Sequence, residues 1–98
     1  NDLTRDFADP HFYHFGTDIA GARIVSDASK EGGGGAIYLA ALGAAGEDPL
    51  QNPRYLLSPR TSGQKGAHIH PFLSPDGTTA FFNSDESGQL QAYKIRGL

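Results

Sequence analysis

The chain has 98 residues, the length of one small domain, and contains no cysteine, which excludes disulfides and cysteine-based zinc sites. The formal net charge of −3 gives no basic field for nucleic acid, and no apolar run approaches the roughly 18 residues of a membrane-spanning helix. The chain begins with Asn1 rather than Met and has no apolar leader, so we expect a piece of a longer or processed protein.

The 13 glycines and 6 prolines argue against long helices, because both residues interrupt them. Short clusters of aromatic and β-branched residues between turn signals predict an all-β fold. The predicted strands in chain order are Phe12–Gly16, Ala22–Ser26, Ala36–Leu42, Arg54–Ser58, Ala67–Leu73, Thr79–Asn83 and Leu90–Ile95. A loop is predicted over Gly43–Pro53, and Ser74–Gly77 is a strong turn because Pro presets φ and Gly supplies a positive φ.

The last three strands repeat the first ones at an interval of about 56 residues. The repeated residues are His14 and His70, Gly21 and Gly77, Tyr38 and Tyr93, and the Ser-Asp pairs at 26–27 and 84–85, at offsets of 56, 56, 55 and 58. Repeats of three or four short strands at such an interval are typical of β-propellers.

We therefore expect the last two blades of a β-propeller, an incomplete ring with one blade over about residues 9–60 and the last over about 61–98. The last blade lacks a fourth strand, which an N-terminal strand outside this chain would supply on ring closure. Two open blades leave sheet edges bare, so this piece should fold poorly alone. The alternative is a small stand-alone β-sandwich whose halves are similar by chance.

Three histidines are placed so that they could meet at one point. His68 and His70 flank Ile69 on a predicted strand, so both side chains should leave the same face. His14 occupies the position of His70 in the preceding blade and should point into the same central channel. Three neutral imidazoles there would bind Zn, Mn, Fe, Co or Ni and leave positions open for water or an oxygen-rich substrate. Binding should weaken below about pH 6, where imidazole becomes protonated.

Other interpretations of these residues stay open at this point. An isolated His-x-His pair is more often a pair of surface or hydrogen-bonded histidines than a metal site. His11 should face the other side of its strand, at the surface or behind the ligands. Asp27 and Asp85 are expected to hydrogen-bond their own turn backbones, with substrate contact as the alternative. The two repeated tyrosines are expected to pack between the blades.

The stretch Gln64–Ile95, with its H-x-H-P, S-P-D-G, S-D-x-x-G and closing A-Y motifs, resembles the last blade of the oligogalacturonate lyases. These form a pectate-lyase-type family built on a seven-bladed β-propeller. The stretch His14–Asp27 resembles the preceding blade of the same family. S-P-D-G with S-D-x-x-G occurs in many propellers of the TolB type, so the specific signal is H-x-H-P combined with the upstream histidine.

The resemblance implies a manganese ion held by His14, Gln64, His68 and His70, with an anionic oligogalacturonide as substrate and β-elimination as the reaction. In the family, the glutamine stands three residues before the first histidine of the pair, where this chain has Lys65. Because a slip of one residue turns a strand side chain to the other face, Gln64 needs a bulge, which Gly66 permits, to reach the metal. The alternative for Gln64 is an exposed turn residue.

The family arginine that serves as the base lies in an earlier blade, outside this chain. We expect a cytoplasmic protein, with the periplasm as the alternative. The net charge and the lack of a long apolar run predict neither nucleic acid nor membrane as a partner. A second function class is a metal-free propeller of the TolB or WD40 type that acts as a protein-interaction module. The propeller of a serine peptidase finds no support, since the chain has no G-x-S-x-G motif.

Overall fold

A computed structural model describes residues 12–29, 35–44, 46–61 and 68–98. In these ranges the only regular secondary structure is β-strand, which confirms the all-β prediction. The strands are β1 (Phe12–Thr17), β2 (Arg23–Ser29), β3 (Gly35–Leu42), β4 (Leu50–Leu57), β5 (Phe72–Leu73), β6 (Ala80–Ser84) and β7 (Gln91–Ile95). Within the same ranges, no helix is long and apolar enough to cross a membrane.

The strands make two antiparallel sheets, each with neighbouring strands in chain order. The first sheet has the order β1-β2-β3-β4, and the second has the order β5-β6-β7. The two sheets pack against each other through one hydrophobic core. Val25, Ile37 and Leu39 of the first sheet contribute to it, together with Ile69, Leu73, Ala80 and Phe82 from the second half of the chain. Burying a large side chain of this kind stabilises the fold by about 1.5–3 kcal/mol, so this core holds the sheets together.

The side chains of β2 alternate between the two faces of the first sheet, and both faces are covered. Val25 and Asp27 lie on the face toward the second sheet, since their partners on β3 are Leu39 and Ile37 of the shared core. Ile24 and Ala28 lie on the opposite face, in a smaller apolar cluster with Ala40. β2 is therefore buried on both faces over residues 24–28, and this stretch includes the polar residues Ser26 and Asp27.

The first hairpin of each sheet has the same turn geometry at an offset of 56 residues. Gly21 has a φ of 68° and Gly77 a φ of 74°, the left-handed region that favours glycine. Each donates its backbone N–H to the residue three positions earlier, Asp18 or Ser74, at 3.1 and 2.9 Å. The turns also touch each other, because the Ile19 N–H donates to the Pro75 carbonyl at 3.0 Å.

The strand register supports the tyrosine offset but not the Ser-Asp offset. Tyr38 lies opposite Ser26, and Tyr93 lies opposite Phe82, so the structural equivalent of Ser26 is Phe82 rather than Ser84. Ser26 and Asp27 lie inside β2, which continues to Ser29, so the prediction that they close this strand is wrong. Tyr93 packs against the core shared by the sheets, whereas Tyr38 packs against the smaller cluster on the far face.

Two strands differ from their predicted bounds. β4 begins at Leu50, inside the predicted loop Gly43–Pro53, and its pairing with β3 contains two register shifts. Asn52, with a φ of 50°, lies in this irregular stretch and gives the strand room for Pro53, which lacks a backbone N–H. Ala67, the first residue of the predicted strand Ala67–Leu73, lies outside the described residues, and of residues 68–73 only Phe72–Leu73 form a strand.

Candidate metal centre

The rings of His14, His68 and His70 lie together where the two sheets meet. One ring nitrogen of each histidine lies within 4.8 Å of the corresponding nitrogens of the other two. The ring centroids are 3.9 Å apart for His14 and His70, 5.7 Å for His14 and His68, and 5.8 Å for His68 and His70. His14 and His68 are half-buried and His70 is exposed, so the cluster is open to solvent on one side.

The donor set and its spacing fit a transition-metal ion. Two imidazole nitrogens bound tetrahedrally at about 2.0–2.1 Å from one ion are about 3.4 Å apart. Side-chain shifts of about 1 Å would therefore bring the three donors to bonding distance. Imidazole is the ligand common to Zn, Cu, Fe and Ni sites, and three such donors leave further positions for solvent or substrate.

His14 is held on β1 by the neighbouring strand. Phe15 lies opposite Ser26 and Gly16 opposite Val25, so His14 is placed next to Asp27 on β2. Asp27 accepts the backbone N–H of His14 at Oδ1 at 2.7 Å, and its Oδ2 lies within hydrogen-bond distance of ring Nδ1, at 2.8 Å. The Ser26 hydroxyl donates to the His14 carbonyl at 2.9 Å, so backbone and ring of His14 are both fixed.

His68 and His70 are positioned by the apolar residue between them. Ile69 is buried in the core shared by the sheets, and its carbonyl accepts a hydrogen bond from the Asn83 N–H of β6 at 2.8 Å. A Cβ on Gly35 would lie 2.6 Å from Cδ1 of Ile69, so a larger residue at position 35 would require the Ile69 side chain to shift.

The two histidine rings are not brought together by regular strand alternation, which corrects the prediction from sequence. Residues 68–71 lie outside β5, and His70 has a φ of 43°, which is rare for a residue with a side chain. His70 also precedes Pro71, a position that favours an extended backbone at negative φ. Non-glycine residues in such conformations cost about 1–3 kcal/mol and cluster at functional sites.

The structure brings together three of the four residues that the sequence predicts as ligands. Gln64 lies outside the described residues, and so does His11. Asp27 was missed as a partner of His14 and does not bond a turn, because it lies within β2. The signal was available in the sequence, since a hairpin closed by residues 18–23 places position 14 across from position 27.

Asp27 makes the local electrostatics suitable for a cation. It is a buried residue, 6% exposed, and both of its oxygens are hydrogen-bonded. No buried side-chain polar atom among the described residues is without a hydrogen-bond partner. One carboxylate beside three neutral rings would leave a bound divalent ion with net positive charge, which suits an anionic ligand.

A separate cavity of about 240 Å³ is lined by residues of β2, β3 and β4, and none of the three histidines contributes to it. Arg23 and Arg54 lie on its wall together with Asn52. Arg23 donates to the Gly77 carbonyl at 3.0 Å and so links the two sheets.

Comparison of the chain with protein-family models, with curated proteins and with solved structures finds no match. Function is therefore inferred from the residues and their geometry.

Proposed function

We propose that this chain supplies the metal-binding end of a β-propeller lyase that cleaves oligogalacturonides by β-elimination, with Mn²⁺ as the metal. The observation that carries the proposal is the cluster of His14, His68 and His70, whose ring nitrogens lie within 4.8 Å of one another. The H-x-H-P motif and the upstream histidine resemble the ligand motif of the oligogalacturonate lyases, and these are the residues that cluster.

The arrangement of the sheets supports the propeller part of the proposal. Two antiparallel meanders with equivalent first hairpins pack face to face through one core, as adjacent blades do. The histidines lie on the first strand of one meander and just before the first strand of the other. In a propeller, the first strands line the central channel, where substrates reach the site.

The residues of this chain would hold the ion and keep one side of it accessible. His14 and His68 contribute their rings from half-buried positions, and His70 contributes the third ring from an exposed position. By the resemblance, Gln64 would add a neutral amide oxygen as a fourth ligand. A bound divalent ion would neutralise the uronate carboxylate and so make the neighbouring C–H more acidic. The base that removes this proton is expected from another blade, as the resemblance implies.

The ligand assignment is tested by His68→Ala and His70→Ala in the intact protein. Outer-sphere partners alone are worth about 10–100-fold in metal affinity, so we expect loss of a ligand to lower Mn²⁺ affinity by more than about 100-fold. The release of unsaturated uronide from oligogalacturonides should fall with it. Metal content is measured by elemental analysis and product release by ultraviolet absorbance.

Lys94→Ala is the control, because Lys94 is an exposed residue of β7 and does not belong to the histidine cluster. It should leave metal content and activity unchanged. Unchanged metal content in both ligand variants would refute the site, and full metal loss without loss of lyase activity would refute the mechanism. A purified protein without stoichiometric Mn, Zn, Fe, Co or Ni would favour the metal-free interaction module instead.

A further inference from the structure

Both carboxylate oxygens of Asp27 contact His14, and these contacts fix the orientation of the carboxylate. Oδ1 accepts the backbone N–H of His14 at 2.7 Å, and Oδ2 lies 2.8 Å from Nδ1 of the ring. Asp27 is 6% exposed, whereas the His14 side chain is 35% exposed, so the pair is anchored at the carboxylate end.

We propose that Asp27 is a positioning residue that holds His14 in the Nδ1–H tautomer, so that the Nε2 lone pair points at the metal. The inference rests on the proposed metal site and deepens it. An ionised carboxylate can only accept hydrogen bonds, so the ring nitrogen facing it must carry the proton. In a neutral imidazole the other nitrogen, Nε2, is then the acceptor and the metal ligand.

The carboxylate has two effects on a metal-bound imidazole. It fixes the orientation of the ring before the ion arrives, and it increases the basicity of the ligating nitrogen. Asp27 differs from an exposed partner because its position is set by β2, where Asp27 pairs with Ile37 of the core. The orientation of His14 is therefore coupled to the packing of the first sheet.

Asp27→Asn separates the tautomer from the fold. Asparagine has nearly the same shape but only one acceptor oxygen. That oxygen can keep the bond from the part-buried backbone N–H of His14. The amide NH₂ group would then face Nδ1, which must accept, and the proton moves to Nε2, where it blocks the ligand lone pair.

Two measurements on the intact protein test the proposal. The first is the ¹⁵N spectrum of histidine-labelled, metal-free protein at about pH 8, where ordinary imidazole is neutral. We expect the Nδ1–H tautomer at His14 in the unmodified protein and the Nε2–H tautomer in Asp27→Asn. The second is calorimetric titration with Mn²⁺, for which we expect affinity to fall about 10–100-fold in Asp27→Asn.

Asp18→Asn is the matched control. Asp18 is also buried, at 8% exposed, and its Oδ1 accepts the backbone N–H groups of Ala22 and Arg23 at 2.8 and 3.1 Å. An amide oxygen can keep both bonds, and neither involves an imidazole. We expect this variant to keep the His14 tautomer and to change Mn²⁺ affinity by less than about twofold.

The outcomes distinguish this inference from the proposed function. An Nε2–H tautomer in the unmodified protein would overturn the inference without any variant, even if Asp27→Asn failed to fold. Unchanged Mn²⁺ affinity in Asp27→Asn would also overturn it, while loss of binding in His68→Ala would still uphold the metal site. If the unmodified protein bound no metal, the proposed function would fall, and the inference that depends on it would fall too.

Discussion

Among the residues of the site, His70 has the most unusual backbone conformation. Its φ of 43° lies where glycine is favoured, and Pro71 follows directly. Ile69, which precedes His70, is held in the core, and the strand β5 begins directly after Pro71. The chain holds a histidine in an unfavourable conformation, which is expected where a side chain is retained for its chemistry rather than for stability.

Comparing His70→Gly with His70→Ala tests whether the backbone is strained. Glycine adopts positive φ without a steric penalty, so His70→Gly should be more stable than His70→Ala by about 1 kcal/mol in metal-free protein. Both variants should lose metal equally, because both lack the ring. Chemical denaturation measures the free energies of unfolding, and equal stability of the two variants would show that residue 70 is unstrained.

The sequence was sufficient to predict which histidines meet but not how they meet. The repeat places His14 and His70 at equivalent positions, and this equivalence needs no knowledge of the backbone. Strand alternation predicts that His68 and His70 share a face, but residues 68–71 lie outside β5 and His70 has a left-handed φ of 43°. No local propensity of histidine predicts such a conformation.

At the scale of elements, the two hairpin turns have the same geometry but different surroundings. A Cβ on Gly77 would lie 3.2 Å from Oδ2 and 3.3 Å from Cβ of Asp18, whereas a Cβ on Gly21 would meet nothing within 4 Å. Asp18 cannot easily move away, since it is buried and bonded to two backbone N–H groups. The second turn is therefore part of the contact between the sheets.

Gly77→Ala should destabilise the protein more than Gly21→Ala. Both substitutions carry the penalty of positive φ, about 1 kcal/mol, because the φ values are 74° and 68°. Gly77→Ala adds crowding against Asp18, which costs about a further 1–3 kcal/mol. The measurement is the midpoint of denaturant unfolding of each variant, and equal losses would mean that the turn does not contribute to sheet packing.

The second turn also stabilises a charge. The Ser74 hydroxyl, the Thr78 backbone N–H and the Thr78 hydroxyl all donate to Asp76, and they lower the pKa of its carboxyl to about 2. Because this pKa is lower than that of an ordinary aspartate, the turn gains stability above about pH 4 and loses it as the pH falls toward 2.

The strands show where sequence patterns succeed and where packing decides. Turn chemistry at Gly21 and Gly77 was sufficient to predict both hairpins, because positive φ leaves few alternatives to glycine. β4 was predicted too short, since Pro53 and Asn52 are typical of loops. The register shifts in its pairing with β3 allow Asn52 and Pro53 to lie within the strand. Such shifts depend on the neighbouring strand and leave no signal in the sequence of β4 itself.

In the molecule as a whole, the proposed metal centre is divided between the two sheets. His14 belongs to the first sheet, and His68 and His70 belong to the segment that leads into the second. The sheets are otherwise joined by the shared core and by a few hydrogen bonds, such as that from Arg23 to Gly77. A bound ion would therefore link His14 to His68 and His70, which lie far from it in the sequence.

Mn²⁺ should raise the thermal stability of the intact protein, and His14→Ala should abolish the effect. At a free concentration of 100 times Kd, an ion that binds only the folded state stabilises it by about 2.7 kcal/mol. The measurement is the midpoint of thermal unfolding with and without Mn²⁺. A rise that persists in His14→Ala would mean that the ion binds within the second half of the chain or elsewhere.

The contact between Ile69 and Gly35 has a consequence for the choice of ion. Ile69 stands between two of the proposed ligands, and its buried side chain packs close to position 35, where a Cβ would lie 2.6 Å from its Cδ1. The distance between the rings of His68 and His70, and hence the ionic radius that they fit best, depends on how the Cδ1 methyl group of Ile69 packs against Gly35. Evolution could retune this protein from one metal to another by changing volume at these two positions, with every donor atom left in place.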